Sequence, residues 1–209
     1  MIPGGTIPQK ARTPDERRAG IVAVAREAFF AEGYGATSMS AIASKVGGSK
    51  TTLWTYFPSK QELFAAVADD LVKRFGLALE VRLSVEADLA TELRQFARAL
   101  LGTLHTQAIV DMHRLVIGEA GRFPELGSMM YERGPARGKA RLAQFFEQCM
   151  VFGMLRKGSG ARAADQLAAM IQTGSSQRRL LGLIERPTDE ELDREAEDAV
   201  HSFLHGWAA

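Results

Sequence analysis

Apolar residues in this chain recur three and four positions apart, the period of a helix, and nowhere alternate over the length of a strand. Ile21, Val24, Ala25, Ala28 and Phe29 form one stripe, predicting a helix from Thr13 or Asp15 to Glu32, with Gly33 as its stop. Met39, Ile42, Ala43 and Val46 form a second, shorter stripe. Thr37 or Ser38 can cap it through a hydroxyl, and Gly47 allows a turn that residues with a Cβ resist. Leu53 and Phe57, four apart, mark a third helix, which Pro58 ends. Ser59 with Glu62 is a capping box, so a longer helix starts at Lys60. Its Leu63, Phe64, Val67, Leu71 and Phe75 carry it to about Gly76.

The remainder reads as helical throughout. Stripes over 88–106, 106–122, 136–154, 161–181 and 188–207 are separated by Phe123-Pro124, Pro135, a Gly-Ser loop at 157–160 and Arg186-Pro187. Thr188 with Glu191 is a further capping box. The expected fold class is all-α, with about nine helices and no internal repeat.

Two short helices crossing through a Gly-containing turn make up a helix-turn-helix, here over about 38–57. Small Ala43 faces the turn and lets the helices approach closely. The second helix of such a unit lies in the DNA major groove. Outside its buried face stand Lys50, Thr51, Thr52, Trp54, Thr55 and Tyr56, a hydroxyl-rich set suited to phosphate and base-edge contact.

Charge sharpens this picture. The net charge of +1 over 209 residues hides an asymmetry. Through residue 60 there are eight Lys and Arg against four Asp and Glu, and the rest of the chain carries 18 basic and 21 acidic residues. A modestly basic N-terminal end on a mildly acidic body suits one DNA-facing surface. The single cysteine, Cys149, rules out an internal disulfide framework and is compatible with a reducing cytoplasm. No apolar run approaches membrane-spanning length, so no membrane partner is expected. Residues 1–12 lack a signal peptide's apolar core and read as a flexible tail. The alternative is a basic arm reaching the minor groove through Lys10 and Arg12.

From Gly33 to Leu63 the chain resembles the tetracycline-repressor (TetR) family of bacterial transcription regulators. Gly33, Thr37, Ala43, Gly47, Ser49-Lys50, Thr52-Leu53, Tyr56-Phe57, Ser59-Lys60 and Glu62-Leu63-Phe64 carry the resemblance in one unbroken frame. Arg114 to Phe146 is similar to the C-terminal region of the AefR-like subgroup. The resemblance implies a helix-turn-helix DNA-binding domain over 13–60 and an effector-binding and dimerisation domain over 61–209. It implies a cytoplasmic homodimeric repressor that leaves a palindromic double-stranded operator when a small effector, apolar or aromatic, binds and moves the helix starting at Lys60. The alternative is an activator, or an effector-independent DNA-binding protein, of the same fold.

By position, the resemblance makes Thr52 and Trp54 base or phosphate contacts, Tyr56 and Lys60 phosphate contacts, and Ser38 a phosphate contact at a helix N-terminus. With Ser49, Lys50, Thr51 and Thr55 these are the expected DNA-binding residues. Two positions depart from the family: Gly48 replaces a valine-like plug of the turn, and Trp54 replaces a tyrosine, exchanging a hydroxyl for an indole N–H and a larger stacking face. The last two helices are expected to form the dimer interface through Leu167, Ala168, Ile171, Leu192, Ala196, Ala199, Val200, Phe203 and Trp207.

Met112, His113, Val116, Phe145, Phe146 and Cys149 are the candidate effector contacts, with plain core packing as the competing reading. His105 is weighed the same way. Asp198, His201 and His205 share a helix face, yet no supporting ligand is spaced to complete a metal site. No nucleophile–base pairing, metal spacing or phosphate loop supports an enzyme, so no catalytic residue, metal or cofactor is expected.

Overall fold

The structure, a computed structural model, describes residues 13–47 and 50–209, save the side chains of Lys50 and Leu77. The expected tail and its Lys10–Arg12 arm lie outside the described residues, as do Gly48, Ser49 and the side chain of Lys50. The described residues are all-α. The helices are α1 (Pro14–Glu32), α2 (Met39–Val46), α3 (Lys50–Tyr56), α4 (Lys60–Phe75), α5 (Leu89–Leu104), α6 (Gln107–Glu119), α7 (Pro124–Arg133), α8 (Pro135–Val151), α9 (Gly160–Gln172), α10 (Ser175–Leu180) and α11 (Asp189–Trp207). A 3-10 turn covers Leu77–Leu79, and a lone antiparallel bridge joins Leu155 to Ala208.

The chain divides into two compact units, and the division falls between Val67 and Ala68, inside α4. In the first unit, the Thr13 hydroxyl accepts from the Glu16 amide, while the Glu16 carboxylate accepts from the Thr13 amide at 2.9 Å, closing a capping box on α1. Ile42 and Ala43 of α2 are fully buried; Met39 and Val46, expected on the same face, are half-buried. Gly47 closes α2 in the left-handed region, at φ 73°. Leu53 and Phe57 hold α3 to this core. At its centre Phe29, Tyr34 and Phe64 form an aromatic triad with ring centroids 5.5–5.9 Å apart.

The core of the second unit comes chiefly from α5, α8, α9 and α11. Phe146 stacks on Phe203 at 5.1 Å, and Phe203 on Trp207 at 6.1 Å. The Trp207 indole donates to the Gln166 side chain at 2.7 Å, and the Arg156 guanidinium lies over its ring. The chain's C-terminus is thereby tied down by both an apolar stack and hydrogen bonds.

Two expectations change here. The stretch 161–181 is two helices, because Thr173 turns extended and Gly174 takes φ 74°. The residues expected at a dimer interface are core. Leu167, Ala168, Ile171, Leu192, Ala196, Ala199, Val200, Phe203 and Trp207 are all buried within the single chain, at 7% exposure or less. An apolar stripe must first cover the core of its own chain, and these side chains chiefly do that.

Helices α8 and α9 cross closely where Gly160 meets α8. A Cβ there would stand 2.5 Å from the Ala143 carbonyl oxygen and 2.7 Å from Glu147 Cγ. Backbone cannot swing aside as a side chain can, so Gly160→Ala forces the helices apart. It should cost about 1–3 kcal/mol of stability, the usual range for overpacking, read as a lower urea midpoint with an unchanged slope.

Candidate functional site

Helix α3 presents Thr51, Trp54 and Thr55 to solvent, with Trp54 at 39% exposure. Thr52 and Tyr56 are half-buried on its flanks. The Thr55 hydroxyl donates back to the Thr51 carbonyl at 2.9 Å, which leaves its oxygen able to accept. Ser38 is the exposed N-cap of α2, and its hydroxyl accepts from the Ala41 amide at 3.1 Å. Its own O–H can still donate outward, beside the free amides of a helix N-terminus, the geometry that takes phosphate. One helix therefore offers a rigid outward row, and the next a donor at its start.

Lys60 makes its contacts within the first unit itself. Its ammonium donates to the carbonyls of Tyr34 at 2.8 Å and Thr37 at 3.0 Å and lies 4.3 Å over the Tyr34 ring. These contacts hold the link between α1 and α2. Thr37, buried in that link, donates to the Gly33 carbonyl at 2.7 Å. This explains a cation at a helix start, where the dipole disfavours it: it anchors the loop that sets where Ser38 and α2 stand. The spacing from Tyr34 to Lys60 carries no local pattern that would have revealed it.

The second unit contains a cavity of about 140 Å³, mainly apolar, walled by α4 to α9. Of the expected contacts, Met112 and His113 line it. Val116, Phe145, Phe146 and Cys149 do not; all four are buried, and the last three pack in the core. Burial pushes the Cys149 thiol up to about 11, so it is protonated and inert as a nucleophile. Leu71, Leu100, Thr103, Ile109 and Met130 are wall residues that were not among the expected contacts. The Thr103 hydroxyl donates to the Phe75 carbonyl at 2.7 Å, joining the cavity wall to the last turn of α4.

His105 lies outside this wall. It is fully buried, with Nε2 2.9 Å from the Ser175 hydroxyl, which in turn donates to Glu195. Its Nδ1 has no hydrogen-bond partner. Burial, reinforced by the Arg179 and Arg186 charges, lowers its pKa to about 4, so it is a neutral packing residue at ordinary pH. Among the described residues no group of three or more His, Cys, Asp or Glu is placed to hold a metal; His201 and His205 lie against each other, 4.3 Å apart, on the exposed side of α11. No described helix is long and apolar enough to cross a membrane.

Residues 21–67 match the family described as bacterial regulatory proteins, tetR family, and residues 91–209 match the AefR-like transcriptional repressor C-terminal domain. Among solved structures, a TetR-family transcriptional regulator from Mesorhizobium loti superposes with a TM-score of 0.82 at 30% identity, covering 95% of this chain and 100% of that one. The flavonoid-responsive regulator FrrA superposes with a TM-score of 0.81 at 34% identity, covering 93% of this chain and 98% of its own. The HTH-type transcriptional activator FasR of Mycolicibacterium smegmatis is 35% identical over 85 residues, 41% of this chain. That match spans only 39% of FasR's length.

Proposed function

Since this chain belongs to the tetR family of bacterial regulatory proteins, and is a DNA-binding transcriptional regulator, we propose that it is a homodimeric repressor released from a palindromic operator by a small molecule in the 140 Å³ cavity. The observation that carries this reading is the outward row of Thr51, Trp54 and Thr55 on a helix locked from behind by Leu53 and Phe57. Thr52 and Tyr56 flank that row, and Ser38 supplies a phosphate donor beside it. Trp54 brings an indole N–H and a broad apolar face to the groove.

The cavity shares its walls with α4, which begins in the DNA-binding unit and ends in the body. A ligand that displaces Thr103 or Leu71 would shift α4 and with it the reading heads. FrrA is flavonoid-responsive. Flavonoids are phenolic, which supports an aromatic effector here. The exposed faces of α9 and α11 suit the dimer, since Met170, Thr173, Asp198 and Ser202 line one shallow groove between them. FasR is an activator, which favours activation as the second reading. A promoter–reporter assay separates the two, because deletion of a repressor raises expression and deletion of an activator lowers it.

Thr52→Ala tests the contact assignment. It should weaken operator binding by about 1–3 kcal/mol and leave binding to random DNA nearly unchanged, read by competition gel shift. An equal loss on both DNAs would make Thr52 a phosphate or packing residue.

A further inference from the structure

The charged side chains on the cavity wall are ion-paired, although the buried Arg133 Nε makes no hydrogen bond. The Arg133 guanidinium lies 2.9 Å from Asp69 and donates to the Met129 carbonyl. The Lys139 ammonium lies 2.8 Å from Asp165. Among the described residues no acidic side chain lines the cavity. A bound anion would therefore lose its water without gaining an unmatched cation, and a bound cation would meet no carboxylate. Thr103 donates to the Phe75 carbonyl, and the Gln172 amide donates to the Ala168 carbonyl at 3.1 Å.

His113 differs. Its Nδ1 is 2.8 Å from the Ile109 carbonyl oxygen, which can only accept, so Nδ1 carries the ring proton. The other nitrogen, Nε2, is then a bare lone pair on an imidazole whose burial disfavours a second proton. It can only accept. The space is also small: an apolar cavity of about 150 Å³ holds benzene, close to the 140 Å³ here.

We propose that this cavity selects an uncharged, largely apolar molecule the size of one alkyl-substituted aromatic ring and bearing a hydroxyl or N–H donor, which donates to His113 Nε2. This rests on the reading of the cavity as the effector site and adds its ligand class. It excludes carboxylates and ammonium compounds of the same shape.

Calorimetric titration of the full-length protein with 4-propylphenol, propylbenzene and 4-propylbenzoate tests it. The phenol should bind about tenfold more tightly than the arene, the worth of one hydrogen bond, and more tightly still than the benzoate. His113→Phe should erase the phenol's advantage, while His113→Gln, whose amide oxygen still accepts, should keep part of it. If His113→Phe fails to fold, a Gln variant that keeps part of the preference still supports the assignment. Benzoate binding as tightly as the phenol, a phenol advantage surviving in folded His113→Phe, or no binding of any probe would each overturn it. A gel shift on the same samples keeps the two readings apart. Phenol binding without DNA release sinks the effector role and leaves the ligand class standing. Lost selectivity with intact DNA binding sinks the ligand class alone.

Discussion

Phe64→Ala should destabilise the DNA-binding unit by about 3–5 kcal/mol, the range for removing a fully buried phenylalanine. Phe64 is 0% exposed, and its ring meets both Phe29 and Tyr34 edge-on. Removing it takes away apolar burial and two aromatic contacts together. It also leaves Tyr34 with only one of its two ring neighbours, Phe29, and Tyr34 supports both the Lys60 ammonium and the link into α2. The loss should appear as collapsed hydrogen-exchange protection in α1 to α3, with α5, α8, α9 and α11 still protected, because stability is local to a cooperative unit. Operator binding should fall with it. Thr51→Ala, on the outer face of α3, should leave exchange unchanged. Uniform loss of protection through both units would contradict a separately stabilised first unit.

Acid should weaken the second unit through His105. Its folded pKa is about 4, against 6.5 for a free imidazole. The native state holds the ring neutral while the unfolded chain binds a proton below about pH 6.5. The unfolded state then binds more protons, so stability is lost as pH falls from about 6.5 towards 4. This one group should cost about 2 kcal/mol between pH 7 and pH 5, following the linkage relation. Urea unfolding at the two pH values should show it, and the pH dependence should flatten in His105→Phe. An equal dependence in both proteins would mean that the ring is protonated in the native state. His113 is displaced in the same direction by burial, so a residual slope in the variant is expected.

The hydrophobic pattern was informative about elements and much less so about what their apolar faces cover. Stripes at helical spacing identified α1, α2 and α4, and the Ser59 and Thr188 caps marked two helix starts to the residue. The family resemblance assigned the stripe in α11 to an interface, and periodicity could not arbitrate, because it reports that a face is buried and not which chain buries it. Leu192, Ala196, Phe203 and Trp207 turned out to cover their own core.

The cavity was harder still. Filled and empty space are lined by the same residue types, so Phe145, Phe146 and Cys149 looked like Met112 and His113. What distinguishes the cavity is where side chains fall short, at Ala68, Gly76, Ala78 and Gly138, and this depends on packing across seven segments of chain. The break at Thr173-Gly174 lay inside a helical stripe that read as continuous from 161 to 181. Lys60 is the opposite case. Its place in the motif frame suggested phosphate, and only the fold brings it to carbonyls 23 and 26 residues earlier in the chain.

The proposed function stands on α3 reading a DNA sequence. Selection of bound fragments from a random double-stranded library, followed by titration of the enriched sequence against its scrambled counterpart at two salt concentrations, tests it most directly. The enriched sequence should be an inverted repeat, bound at least about 10³-fold more tightly than the scrambled DNA, with a preference that persists when salt weakens both. Equal affinity for enriched and scrambled DNA, or no enrichment of any sequence, would contradict it.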